Sequence, residues 1–350
     1  MNILGIETSC DETAAAVVAD GRLVRSGVVL SQIARHRPFG GVVPELASRC
    51  HVEALPEILR QAVADAGLSW AEIDRLAVTS GPGLASALLV GVVAAKSLSL
   101  ALGRPLVAVH HLEAHFHSVF LCDDPPAPSP AAPLLALLVS GGHTALILST
   151  GAGTYRMLGQ TFDDAAGEAL DKGAKLLRLG YPGGPAIERA AAGGDTHGVN
   201  FPRGAVSSAP SGMPAGLDPG CCFSFSGLKT ALLYHLRGHP EALEGAALRD
   251  VAASYQEAVV DALLERVERA VRRHRPAAVA CAGGVARNAR LRERLEAFGR
   301  REGLRVIPAR PEYCTDNAVM IAAAAGAGLG RVCDDPAELD VSPSCPMAAP

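Results

Sequence analysis

From its first residues the chain alternates short apolar runs with polar turns. ILGIE, at residues 3–7, is followed by the polar TSCDET, the apolar AAAVVA, a turn at Asp20 and Gly21, and RLVRSGVVL. This pattern predicts strand, tight polar turn, strand, turn, strand. The same order returns from Leu134, with LLALLV, SGGHT, ALILST, a turn at 151–153 and TYRMLG. Two copies predict a duplicated fold whose repeat lies in pattern rather than in letters. After the first copy the patterning predicts helices over 44–66 and 84–100, with strands at 75–79 and PLVAV from Pro105. After the second it predicts helices near 165–177 and 248–273, the strand AAVACA, a helix over 286–298, the strand LRVIP and an alanine-rich helix after Cys314. Helices alternating with strands predict parallel sheet, hence an α/β fold of two similar lobes. The Pro-rich stretch 124–133 marks the junction, 193–220 reads as loop, and the chain from Asp334 reads as a loose end. The expected organisation is an N-terminal lobe at 1–127 and a C-terminal lobe at 128–313. A final helix at 314–333 would return to the first lobe, and 334–350 would form a tail.

Composition sharpens this picture. The chain has 350 residues, more than one hydrophobic core usually holds, which favours two lobes. Apolar residues make up 49% of it and aromatics only 4%, which suits Val, Leu and Ile sheets under alanine-rich helices. The nine cysteines include no C-x-x-C pair, so they read as reduced thiols. The start carries no basic, apolar leader, and no segment offers about 18 consecutive uncharged apolar residues, so a cytoplasmic, membrane-free protein is expected. A net charge of −4 makes the whole chain no electrostatic sponge for nucleic acid, and any RNA contact must be local or made through partners. Lys96, Lys172, Lys175 and Lys229 are its lysines against a large excess of arginine, and three of them fall in motif-bearing segments.

The densest chemistry is HHLEAHFHS, directly after a predicted strand. His111 and His115 stand four apart, so on a helix they share a face and can hold one ion, although such a pair also fits a polar surface face. An acidic third donor is available in Asp316, within PEYCTDNAV. Two imidazoles and one carboxylate leave coordination positions open for substrate. HLEAH places Glu113 one position too late for the H-E-x-x-H metalloprotease helix. The turns ETSCDET and VSGGHT occupy equivalent places in the two copies. Their backbone N–H groups and hydroxyls can face phosphate, as can the start of the helix after CAGGVARN. Each alone is also an ordinary turn, as SGPG at 80–83 is an ordinary helix entry. Asp164, Glu168 and Asp171 are spaced to line one helix face. The glycines of YPGGP would let a sugar lie against backbone, and FSFSGLKT reads as a strand-to-helix turn.

IETSCDET, GGVVPELASRCH, SGPGL, HHLEAH, LLVSGGHT, FDDAAGEALDK, YPGGP, FSFSGLKT, AGGVARN and CTDN occur in an order and spacing that resemble the bacterial TsaD family. These are the tRNA adenosine threonylcarbamoyltransferases, once called glycoprotein endopeptidases, and the resemblance covers roughly the whole chain. It implies a duplicated actin-like or sugar-kinase-like (ASKHA) fold with two lobes and a central cleft. It implies transfer of threonylcarbamoyl from threonylcarbamoyl-AMP to the exocyclic amine of the adenosine 3′ to the anticodon, in tRNAs reading codons that start with adenine, with release of AMP. A divalent metal, ferrous iron in first place and zinc in second, would be held by His111, His115 and Asp316. Leu138, Val139, Ser140, Gly141, Gly142, Asp171, Gly184, Glu188 and Asn288 would line the adenylate site. Asp11 and Glu12 match the acidic pair facing the reacting end. The implied partners are tRNA, a paralogous accessory subunit and a small P-loop ATPase (TsaB-like and TsaE-like), with an enzyme that makes the adenylate. Cys222 stands where the family usually has Asp, and Asp218 is the candidate to replace it. Arg35, His36, Arg37 and Arg49 flank the first-lobe loop as candidate tRNA-backbone contacts. The same fold would also serve an ATP-dependent small-molecule kinase or a non-catalytic binding subunit.

Overall fold

The computed structural model describes residues 1–127, 129, 131–151, 153–204 and 213–347. Parts of the predicted junction (128, 130), of the 151–153 turn (152), of the 193–220 loop (205–212) and the tail end (348–350) lie outside the described residues.

The chain opens with β1 (Asn2–Glu7), β2 (Glu12–Ala19) and β3 (Leu23–Ser31), then α1 (Ile33–His36) and α2 (Pro44–Asp65). There follow β4 (Arg75–Gly81), α3 (Ala85–Leu102), β5 (Leu106–His110) and α4 (His111–His117). The second copy starts with β6 (Leu134–Val139), β7 (Thr144–Gly151) and β8 (Thr154–Gln160), then α5 (Ala166–Leu176), α6 (Gly183–Ala190), α7 (Ser226–Gly238) and α8 (Gly245–His274). It continues through β9 (Ala278–Ala282), α9 (Ala289–Glu302) and β10 (Arg305–Pro308). The last elements are α10 (Ala318–Gly326) and β11 (Arg331–Val332).

These elements form two compact units, Met1–Pro125 with the segment from Arg310 onward, and Pro126–Ala309. The first holds a six-stranded sheet in the order β11-β5-β4-β1-β2-β3, and the second a five-stranded sheet in the order β10-β9-β6-β7-β8. In each, an antiparallel three-strand meander is extended by two parallel strands, β4 and β5 beside β1, β9 and β10 beside β6. The duplicated α/β pattern read from the sequence is therefore present in both sheets.

Side-chain alternation explains the layering of the first unit. Ile3 of β1 points into a core shared with α10, while Leu4 and Ile6 point into a core shared with α2 and α3. A strand buried on both faces has no polar face to show, which is why β1 reads as an unbroken apolar run. Gly5 lies under α10, and a Cβ there would come within 2.8 Å of the Ala322 nitrogen, so helix and strand meet backbone to backbone. The alanine-rich sequence of α10 is what such close packing requires.

The segment from Asp334, expected as a loose end, is docked on the first unit. Cys333 and Leu339 are buried in the α2–α3 core, Ser342 N–H donates to Ser80 O at 2.7 Å and Gly83 N–H to Pro343 O at 3.1 Å. Apart from a single 3-10 turn at Pro336–Glu338 it has no helix or strand, and buried Leu339, with Cys333 just ahead of it, anchors it, so no periodicity announced it. By length and composition alone α3 could cross a membrane, with a third of it buried. Here its inner face packs on β4, and Lys96 on it reaches Leu339 O at 2.8 Å.

In the second unit the long α8 is pinned by Tyr255, fully buried, whose hydroxyl donates to Ala169 O in α5 at 2.8 Å. Glu257, buried on the same helix, pairs with Arg290 and Arg294 of α9. A buried carboxylate left without these guanidiniums would be costly, so the pair fixes how α9 lies on α8.

Candidate metal centre

Strand β5 delivers His110 to the start of α4, and the helix turns His111 and His115 onto one face. Their rings meet edge to face with centroids 4.6 Å apart. The third donor arrives from the far end of the unit. Asp316 stands just before Asn317, whose side chain caps α10 by accepting from Met320 N–H at 3.0 Å. The helix expected after Cys314 starts at Ala318, so Asp316 lies just outside it in the turn that leads in. Asp316 Oδ1 lies 3.0 Å from His115 Nε2 and 3.5 Å from His111 Nε2. Donor atoms of the three residues all lie within 4.8 Å of one another. The imidazoles are almost wholly buried while Asp316 keeps 20% of its side chain exposed, so the group opens to solvent on the carboxylate side. Two nitrogen donors and one oxygen donor, so converged and open on one side, fit a divalent ion of the iron or zinc type.

Behind this group sits Glu7, fully buried at the end of β1. Its Oε1 accepts from Ser9 N–H at 2.5 Å, and its Oε2 accepts from the Thr79 hydroxyl at 2.5 Å and lies 3.0 Å from His111 Nδ1. Burial alone would depress the His111 pKa, but the carboxylates of Asp316 and Glu7 outweigh it and hold it up at about 9. Burial would likewise raise the Glu7 carboxyl, and the His111 pairing instead holds it below the ordinary value. Metal binding at His111 must therefore displace a proton. Of the other histidines in the cluster, burial pushes His110 and His117 down to about 4, and neither joins the donor set.

The turn after β1 carries Asp11, and Glu12 opens β2 directly after it. The turn is held from one side by the SGPG segment, where a Cβ on Gly83 would come within 2.7 Å of Ser9 Cβ, and Leu84 N–H donates to Ser9 O at 2.8 Å. From the other side a chain of buried side chains reaches it. Val43 N–H donates to His36 Nδ1 (3.2 Å), which leaves His36 Nε2 to donate to Gln32 Oε1 (3.2 Å). Gln32 Nε2 then faces His51 Nδ1 (3.2 Å), and His51 Nε2 donates to Cys10 O (3.0 Å). The backbone N–H of Val43 can only donate, so it sets the direction of the whole chain. This corrects the expectation for His36, which is fully buried and bonded inside the unit rather than facing RNA. Arg35, Arg37 and Arg49 are exposed.

Burial, then the carboxylates of Asp11 and Asp316, push the Glu12 carboxyl up to about 9. Its folded pKa lies above that of the unfolded chain, so its ionisation opposes folding, increasingly as pH rises from the ordinary carboxyl value toward 9. In metal-free protein Glu12→Gln should accordingly gain stability over wild type, more at about pH 8 than at about pH 5, in urea denaturation. An equal gain at both pH values would contradict a raised Glu12.

The remaining candidates lie in the second unit, where hydrogen bonds and contacts link them into one neighbourhood. Leu138 and Val139 end β6, and Ser140, Gly141 and Gly142 form the turn, closed by Ser140 N–H to His143 O at 2.8 Å. Gly167 N–H at the start of α5 donates to Ser140 O at 3.1 Å. Asp171 on α5 accepts from Gly183 N–H of α6 at 2.6 Å, and Glu188 on α6 accepts from Ala289 N–H of α9 at 2.9 Å. Asn288 caps α9 through Leu291 N–H at 3.0 Å and donates to Gln256 Oε1 at 2.9 Å. Gly283, at φ +96°, closes the circle, since a Cβ there would sit 2.7 Å from the Val139 carbonyl carbon. Around Gly184 the nearest atom to an added Cβ is 3.8 Å away. The neighbourhood gathers at the carboxyl ends of β6 and β9, where open α/β sheets bind ligands.

Asp171 does not line one face with Asp164 and Glu168 as the spacing predicted. Asp164 precedes α5, and it and Glu168 both pair with Lys172, while Asp171 turns to Gly183. Ahead of FSFSGLKT, Asp218 pairs with Arg273 at 2.5 Å and accepts from Gly220 N–H, and Cys222 Sγ lies 3.3 Å from Asp218 O. The serines of that motif are gathered by Asp163, which accepts from the Ser224 and Ser226 hydroxyls and from Phe225 N–H. The sequence reading missed Glu7 and Asp163. For Glu7 there was a signal, a carboxylate closing an otherwise apolar strand.

Residues 24–323 match the family model described as TsaD, tRNA N6-adenosine threonylcarbamoyltransferase. A protein of that name from Anaeromyxobacter dehalogenans strain 2CP-C is 54% identical over 330 residues, covering 94% of each chain. One from Trichlorobacter lovleyi is 49% identical and covers 99% of this chain and 97% of its own. Among solved structures the fold is similar to the activator of 2-hydroxyisocaproyl-CoA dehydratase from Clostridium difficile with bound ADPNP. That match has a TM-score of 0.51 and 15% identity over 93% of this chain and 94% of the other. Component A of the (R)-2-hydroxyglutaryl-CoA dehydratase of Acidaminococcus fermentans gives a TM-score of 0.50 at 14% identity, over 92% and 96%. At such identities these two speak for the ASKHA-type fold alone.

Proposed function

The chain belongs to the TsaD family of tRNA N6-adenosine threonylcarbamoyltransferases, and from that membership we propose how its residues divide the transfer. It is a transferase that places threonylcarbamoyl on N6 of an adenosine in tRNA. The donor is threonylcarbamoyl-AMP and the acceptor the adenosine 3′ to the anticodon. The single observation that carries a metal-assisted reading is the convergence of His111, His115 and Asp316, drawn from two distant stretches of sequence onto one point.

In this reading the second-unit turn Leu138–Val139–Ser140–Gly141–Gly142 and the start of α9 offer backbone N–H groups to the phosphate of AMP. Asp171, Gly184, Glu188 and Asn288 surround the nucleoside. An ion held by His111, His115 and Asp316, ferrous iron before zinc, supplies Lewis-acid polarisation when bound. Glu12, protonated near neutral pH, donates a hydrogen bond to the carbamoyl end. Asp11, the other carboxylate of the pair, accepts the amine proton. The balance is simple: N6 forms a bond to the carbamoyl carbon, the bond from that carbon to the phosphate oxygen breaks, AMP leaves with the electron pair, and one N6 proton passes to Asp11. These roles rest on the match of Asp11 and Glu12 to the acidic pair of the family's first loop, and they are supported by the influence of the Asp316 carboxylate on Glu12. A cytoplasmic setting, a paralogous accessory subunit and a small P-loop ATPase complete the reading.

The test is a transfer assay with purified protein, synthetic threonylcarbamoyl-adenylate, unmodified tRNA and the accessory proteins, read by nucleoside mass spectrometry. Threonylcarbamoyladenosine should form and chelation should stop it. ATP hydrolysis or small-molecule phosphorylation with no modified nucleoside would overturn the reading.

A further inference from the structure

Glu7 has no part in the mechanism above, although it is a fully buried carboxylate in contact with a metal-group histidine. It is held on three sides. Ser9 N–H donates to Oε1, the Thr79 hydroxyl donates to Oε2, and His111 Nδ1 faces Oε2. Ser9 Oγ lies a further 3.2 Å from His111 Nδ1. An ionised carboxylate can only accept, so Nδ1 of His111 must carry a proton, which leaves the Nε2 lone pair as the atom His111 can offer an ion. Nε2 is also the nitrogen that faces Asp316. His115 differs, since its Nδ1 is buried with no hydrogen-bond partner among the described residues.

We infer that Glu7 is a positioning residue of the metal centre: through Nδ1 of His111 it fixes the ring's tautomer and orientation so that Nε2 is presented to the ion. The inference rests on the metal reading of His111, His115 and Asp316. Ser9 N–H and Thr79 make the placement of Glu7 rigid, so the orientation of His111 is inherited from β1 and β4 rather than from α4 alone. The same arrangement makes Glu7→Gln an informative change. The Oε1 position faces a backbone N–H and must remain an acceptor, so the amide NH2 is forced toward Thr79 and His111. There it would donate to Nδ1 and drive the imidazole proton onto Nε2, the nitrogen needed by the ion.

The experiment measures zinc affinity by competition with a chromophoric chelator, together with the histidine nitrogen spectrum of isotope-labelled, zinc-loaded protein. Wild type should show His111 ligated through Nε2 with a proton on Nδ1. Glu7→Gln should bind zinc about 10–100-fold more weakly, the usual effect of losing a partner behind a metal-ligating histidine. Glu7→Asp, which keeps the charge but draws it back by one methylene, should also bind more weakly. Wild-type affinity in Glu7→Asp would show that charge and not placement matters, and would overturn the inference. Should Glu7→Gln fail to fold by circular dichroism, the wild-type spectrum decides, because zinc on Nδ1 of His111 overturns it alone. Equal affinity in wild type and Glu7→Gln removes the role of Glu7 and leaves the metal centre standing. No zinc bound by wild type removes both.

Discussion

His115→Ala should yield a folded protein that neither retains a divalent ion nor transfers threonylcarbamoyl, with ion affinity down by more than about 100-fold, beyond the loss usual for partners outside the first coordination sphere. The expectation follows from how few donors there are. His111, His115 and Asp316 supply one atom each, so removing one leaves two to compete with chelators and water. The fold should survive, because α4 is a short helix of seven residues and the His115 Nδ1 has no described partner to strand. Metal content after gel filtration and nucleoside mass spectrometry give the two readouts, with thermal denaturation as the check on folding. His117→Ala is the matched control: it removes a half-buried imidazole from the same helix, stacked on Phe120, outside the donor set. It should keep ion and activity. A His115→Ala protein with wild-type metal content and rate would remove the ion from the mechanism.

Gly5→Ala is expected to have the largest effect on stability, about 3 kcal/mol or more, at the top of the range for overpacking a core. The added methyl would meet Ala318 O, the Ala322 nitrogen at 2.8 Å and the Ala322 Cβ at 3.0 Å. Two of these atoms are backbone and cannot rotate away, so either β1 or α10 must move. Movement of α10 also displaces the turn that carries Asp316, so the variant should lose metal affinity as well as stability. Gly227→Ala in α7, with nothing within 4 Å of the new methyl, is the contrast, and should be neutral or more stable by up to about 1 kcal/mol from helix propensity. Urea denaturation of the two variants settles the matter. A Gly5→Ala midpoint equal to that of wild type would mean that strand and helix do not meet as closely as these distances require.

Much of the architecture was legible because it is written in local periodicity. The two meanders, the parallel strands and the helices between them each follow from apolar spacing at period two or near 3.6. So does the shared face of His111 and His115, since four residues of helix bring side chains together wherever the helix lies. Where local spacing was trusted too far it misled. Asp164 fell off the helix face because α5 begins only at Ala166, and the N–H of Gly183 claimed the carboxylate of Asp171. His36 looked like part of an exposed basic loop, yet the N–H of Val43 and the amide of Gln32 hold it inside.

By itself the sequence determined the α/β class, the duplication, the ordered motifs that place the chain in its family, and the pair of histidines on one helical face. These are properties of neighbours along the chain or of motif order, which survive without coordinates. Only the tertiary structure decided what long-range packing decides. It brought Asp316 to His115 across 201 positions of sequence and seated Glu7 behind His111 across 104. It also docked the last segment through Cys333 and Leu339 and gave the Glu12 carboxyl its high pKa. The physical reason is the same in each case: burial and electric field at an atom depend on everything that surrounds it in space, and β1, α4 and α10 become neighbours only once the sheet and the alanine-rich helix have closed over Gly5.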